Sequence, residues 1–125
     1  MNIRESAENY LETILILKER KGSVRSIDIA NELNFSKPSV SVAMKNLRDN
    51  GYIQVDDGGC ITLTELGFEI ADKMYERHSI ISEYLIMLGV APEIAVKDAC
   101  RIEHIISNES FQAIKTQHDR LAEKQ

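Results

Sequence analysis

The 125-residue sequence has no tryptophan, two prolines, two cysteines and six glycines, and each scarcity removes a class of protein. Two thiols, Cys60 and Cys100, cannot build a disulfide scaffold in a chain of this size, so both are expected to be reduced. Too little proline and glycine is present for a collagen-like or low-complexity chain. No apolar run reaches the ~18 residues that span a bilayer. No basic, then apolar, then small-residue signal opens the sequence, so no membrane partner and a cytoplasmic location are expected. Neither a glycine-rich phosphate cradle nor an oxyanion loop is apparent, which argues against an enzyme. What remains is one domain's worth of chain, or two small subdomains.

Charge is unevenly spread. The net charge is −5, yet residues 20–48 hold six basic side chains, Arg20, Lys21, Arg25, Lys37, Lys45 and Arg48, against Asp28 and Glu32. Acidic residues dominate the rest, so any polyanion would be met by that one stretch.

Apolar residues at three- and four-residue intervals, Tyr10, Leu11, Ile14, Leu15 and Leu17, predict an amphipathic first helix to about Arg20, stopped by Gly22. Ser26 is expected to cap a short second helix that ends at Asn34, and Ser36 a third that carries Pro38 in its first turn. Val40, Ala43, Met44 and Leu47 form that helix's buried stripe, and Gly51 closes it. The period then shifts from four to two. Tyr52 to Val55 and Cys60 to Leu63, around Asp56-Asp57-Gly58-Gly59, predict a hairpin. Thr64 caps a long helix with Phe68, Ala71, Met74, Tyr75, His78, Ile81 and Leu85 inward, ending at Gly89. Pro92 opens another with Ala95, Ala99, Ile102 and Ile106 inward, and a last one begins near Ser107.

Three helices followed at once by a hairpin give the order of a winged helix-turn-helix. The third helix would enter the major groove of double-stranded DNA. Ser36, Lys37, Ser39, Ser41 and Lys45 could reach phosphates and base edges from it, with backbone charge added by Arg25 and Arg48. Asp56 and Asp57 would hold the wing tip off the phosphates. The expected fold is therefore mainly α: an amino-terminal winged helix-turn-helix over residues 1–64, then a helical domain over 65–125.

A second constellation lies in Ala99-Cys100-Arg101-Ile102-Glu103-His104. On a helix Cys100, Glu103 and His104 stand at i, i+3 and i+4, so a thiol, a carboxylate and an imidazole share one face. His78, inward on the long helix, can join them. Glu12 and Asn9, read as the exposed side of the first helix, could close the same site. Alone, each of these residues has an ordinary structural role; together they are a donor set for a metal.

The Glu8-Asn9-Tyr10-Leu11-Glu12 segment, the helix-turn-helix, Leu63-Thr64, Arg77-His78 and Ala99 to His104 together resemble the metal-dependent repressors typified by the diphtheria toxin repressor and the manganese transport regulator. The resemblance implies a homodimer that binds a palindromic operator and represses iron or manganese uptake genes. It implies Glu12, His78, Cys100, Glu103 and His104 as metal ligands, with Asn9 as a further neutral oxygen. It implies metal binding and dimerisation by the second domain, and Ile80, Ile81, Tyr84, Leu85, Ile86 and Leu88 offer apolar surface for pairing. Cys100 is similar to the iron-responsive branch and Glu12 with His78 to the manganese branch, so iron(II) is the first expectation and manganese(II) the next. The competing account is a metal-independent winged-helix regulator that senses oxidants through Cys100. A hydrolytic site is disfavoured because neighbours on one helix do not aim at each other as a triad does. His118 is expected to face solvent.

Overall fold

The computed structural model describes residues 3–124. Its described residues form six helices and one hairpin: α1 (Ile3–Lys21), α2 (Ser26–Leu33), α3 (Lys37–Asp49), β1 (Ile53–Val55), β2 (Ile61–Leu63), α4 (Glu65–Met87), α5 (Pro92–Ile105) and α6 (Asn108–Glu123). Two compact units emerge, Met1–Lys73 and Met74–Gln125, with the division inside α4.

The first unit is the expected winged helix. Its core gathers Leu11 and Ile14 of α1, Ile29 of α2, Val40, Met44 and Leu47 of α3, Ile53 and Ile61 of the hairpin and Ala71 of α4. Local chemistry sets each boundary. Asn34 adopts a left-handed conformation at φ 58°, where its amide closes on Ala30, and this ends α2. Ser36 caps α3, its Oγ accepting from the Ser39 amide at 3.3 Å. The α2 start differs from expectation: Arg25, not Ser26, is the cap, and its amide donates to Asp28 Oδ2 at 2.9 Å. Asp28 closes the turn from its third position, which a serine at the first helical residue cannot do.

The hairpin pairs Ile53 with Leu63, Gln54 with Thr62 and Val55 with Ile61, antiparallel. At its tip Asp56 Oδ1 accepts from the amides of Gly58 and Cys60, both at 2.9 Å. Ile61 also donates to the Val24 carbonyl at 2.7 Å, which ties the strand to the chain just before α2. Thr64 caps α4 as expected, accepting from the Gly67 amide at 3.2 Å.

One outward and two inward assignments are corrected. Glu12 is only 5% exposed, because α1 is buried on consecutive residues from Leu11 to Leu15 and has no solvent side there. Phe68 and Tyr75 are outward, at 48% and 38% exposure. The buried side of α4 runs instead through Gly67, Ala71, Met74, Arg77, Ile81 and Ser82. A glycine, an arginine and a serine in that stripe rotate it away from the aromatics, and hydropathy does not register them.

The second unit is helical, with Ile81, Ala99 and Phe111 at its core and Ile80, Leu85, Ile102 and Ile106 packed around them. Gly89, at φ 102°, ends the turn after α4. Ser107 caps α6, accepting from the Ser110 amide at 3.1 Å. His118 does not face solvent as expected. Its side chain is 12% exposed, with Nδ1 at 2.9 Å from Asp119 Oδ1 and Nε2 at 3.7 Å from Glu83 Oε2. No described helix is long and apolar enough to cross a membrane.

Candidate metal centre and nucleic-acid face

In the second unit α4 and α5 bring three of the expected donors together. The Glu103 side chain is fully buried. Its Oε2 lies 3.0 Å from His78 Nδ1, and its Oε1 lies 3.4 Å from His104 Nε2. His104 is held in place by the helical step from Glu103, and its side chain is only 3% exposed. His78 reaches in from α4, where it is about one-quarter exposed.

This arrangement fits a metal on chemical grounds. A buried carboxylate is costly unless a positive group faces it. Protonated imidazoles can supply that charge, and so can a divalent ion bound by the same lone pairs once the imidazoles are neutral. One carboxylate and two imidazoles form a mixed oxygen and nitrogen donor set suited to first-row divalent ions. Cys100, one turn earlier on α5, is exposed. In the first unit, Glu12 is buried on α1 and Asn9 is half-buried, with its carbonyl accepting from Thr13 Oγ1 at 2.8 Å.

Arg77 was not singled out by donor chemistry, yet it secures this cluster. Buried beside His78, it donates to the main-chain carbonyls of Glu103 and Ile106 and stands 5.5 Å from the centre of the Phe111 ring. Its adjacency to His78 was the one available signal.

On the first unit, α3 exposes Lys37, Ser39, Ser41, Val42, Lys45, Asn46 and Arg48. The basic stretch is less free than its count of cations suggests. Arg20 pairs with Glu32 at 2.7 Å and Lys21 with Asp28 at 2.6 Å. The Asp28 carboxyl is held below its ordinary value, first by the Lys21 hydrogen bond and then by the Arg25 amide. Arg48 has Asp49 at 3.8 Å, and among the described residues neither Lys37 nor Lys45 forms an ion pair. Ser36 is occupied as a cap and also donates to Ser39 Oγ at 2.8 Å. At the wing, Asp56 directs its carboxylate into the turn's own amides, leaving Asp57 as the exposed acid without that role.

Comparison with known proteins gives matches along the chain. Residues 2–59 match the iron dependent repressor N-terminal DNA binding domain, and residues 64–124 match the iron dependent repressor metal binding and dimerisation domain. The transcriptional regulator MntR of Salmonella typhimurium is 38% identical over 123 residues, covering 96% of this chain and 78% of that protein. An uncharacterised HTH-type transcriptional regulator of Methanocaldococcus jannaschii is 33% identical, with 96% and 98% covered. Among solved structures, the manganese regulator SloR aligns with a TM-score of 0.79 at 25% identity, over 90% of this chain and 53% of that one. IdeR of T. acidophilum aligns with a TM-score of 0.77 at 27% identity, over 88% and 52%. The chain thus spans about half the length of these solved relatives. The curated relatives are regulators, not enzymes.

Proposed function

The chain belongs to the iron-dependent repressor family, and from that premise we propose that it is a metal-activated transcriptional repressor of iron or manganese uptake genes. The observation that carries this reading is the buried Glu103 carboxylate with His78 and His104 on its two oxygens. In this reading Glu12, Cys100 and, as a neutral oxygen, Asn9 are the further members of the ligand set. When bound, the ion supplies positive charge to the buried carboxylates. The residues select a divalent ion by offering oxygen, nitrogen and one sulfur.

Cys100 favours iron(II); the likeness to a manganese regulator and the oxygen-rich remainder favour manganese(II). A homodimer is supported by the apolar surface that the second unit exposes, Ile86, Leu88, Ile94, Val96 and Ile105, with Ile105 at 76%. A two-fold dimer presents two α3 helices and so calls for a palindromic operator, its half-sites ~34 Å apart or a multiple of that. Metal acts by linkage: it favours the DNA-binding arrangement to the extent that it binds that arrangement better.

The test is anaerobic titration of metal-free protein with iron(II) and, separately, manganese(II), reading thermal stability and affinity for its own promoter DNA. At least a tenfold gain in DNA affinity with either ion is expected, a coupling of about 1.4 kcal/mol. No change with either ion would overturn the reading. The exposure of Cys100 favours one second account, a redox regulator. That account requires peroxide, without metal, to change DNA affinity and Cys100→Ser to abolish the change.

A further inference from the structure

Val42 is 61% exposed in the middle of α3. The helix buries Val40, Met44 and Leu47. At ~100° per residue, Val42 faces about 200° round from Val40, so it lies opposite the buried stripe. Ser39, Ser41, Lys45 and Asn46 surround it, all exposed. No packing role within the unit explains a branched apolar residue there, and its branching mildly disfavours the helix.

Its chemistry is narrow. Two methyl groups on a short, stiff stem can neither donate nor accept a hydrogen bond, yet they allow the helix to approach a surface closely. Along the major groove the apolar feature of the base edges is the C5-methyl of thymine, whereas cytosine presents an amino donor that a valine would leave unsatisfied. We propose that Val42 is a specificity-determining residue that reads thymine methyl groups in each operator half-site. This rests on the assignment of α3 as the DNA-reading helix. The lysines beside it hold phosphates and are indifferent to sequence; Val42 discriminates thymine from cytosine and from uracil.

The experiment uses the full chain with manganese(II) and a duplex selected by it from a randomised pool. Thymines of that duplex are replaced one at a time by uracil, which removes only the methyl group. At one or two positions per half-site, binding by the unaltered protein should fall about three- to fivefold per methyl lost. In Val42→Ala the same replacements should cost nothing, while the melting temperature stays unchanged. Val42→Thr, which exchanges one methyl for a hydroxyl, should show a partial loss. The proposal is overturned if no uracil weakens binding, or if the loss persists at full size in Val42→Ala. Should the unaltered protein select no duplex with manganese(II) or, anaerobically, with iron(II), the DNA-reading assignment of α3 fails, and this proposal with it.

Discussion

Arg77 and Glu103 are joined through the main chain rather than through their charges: Arg77 Nη1 donates to the Glu103 carbonyl oxygen at 3.0 Å and to that of Ile106 at 3.0 Å. Both carbonyls lie where α5 ends and helical amides run out. A single buried guanidinium therefore terminates α5 and, through the next residue, places His78 against the side chain of the residue whose backbone it holds. Arg77→Met should orphan two acceptors, costing roughly 2–4 kcal/mol and lowering Tm by about 10 °C. Calorimetry of the metal-free protein checks this. Arg77→Lys should recover only part of the loss, because an ammonium lacks the planar fork.

Glu103→Gln keeps the shape of the side chain and removes its charge. Metal affinity should fall by about 100-fold or more, as expected when a charged donor becomes neutral. Equilibrium dialysis with manganese(II) measures it. The metal-dependent gain in DNA affinity should vanish in parallel, and an unaltered gain would remove Glu103 from the ligand set.

The pairing of Arg20 with Glu32 predicts how DNA binding responds to salt. Each phosphate contact contributes about −0.9 to the slope of log K against log salt. Lys45→Ala should therefore flatten the slope by about one per protomer, and Lys37→Ala likewise. Arg20→Ala should leave the slope unchanged. Filter binding over a salt series separates the two classes of cation.

Asp28 gives a sign for acid behaviour. Its carboxyl is held below the ordinary 3.8, so its contribution to stability is complete above that value and is lost as pH falls through the lowered one. Because the Lys21 side chain is 48% exposed and solvent screens the pair, the effect should stay below about 1 kcal/mol. Urea midpoints between pH 2 and 6 should show a shallower acid limb in Asp28→Asn than in the unaltered chain.

Much of the fold was legible because boundaries are written in single residues. Ser36, Thr64 and Ser107 cap their helices, and Asn34 stops α2, each through a local hydrogen bond or dihedral that needs no tertiary context. Glu103 and His104 were legible for a similar reason, since helical spacing alone puts them on one face. What escaped depends on surroundings that periodicity does not carry. Hydropathy marks polar residues as outward, so it misplaced Glu12, left Arg77 and Ser82 out of the α4 stripe and put Phe68 and Tyr75 in it. His118 was misjudged because its neighbours in sequence are polar, whereas the acid that faces it across the unit, Glu83, is 35 positions away. Val42 is not legible from periodicity, because an apolar residue out of phase with its stripe carries no structural message.

At Gly67 the start of α4 passes close against the backbone of Tyr52. A β-carbon there would overlap the carbonyl oxygen of Tyr52, and backbone atoms cannot step aside as a flexible side chain can. That carbonyl also accepts the Thr64 amide at 3.1 Å, so the hairpin's entry is locked to the α4 start at the same point. If every codon were offered at this position and variants sorted for folded protein, glycine alone should return. With α3 as the proposed reading helix, adaptation to other operators would proceed through its open face and leave the seam between hairpin and α4 untouched.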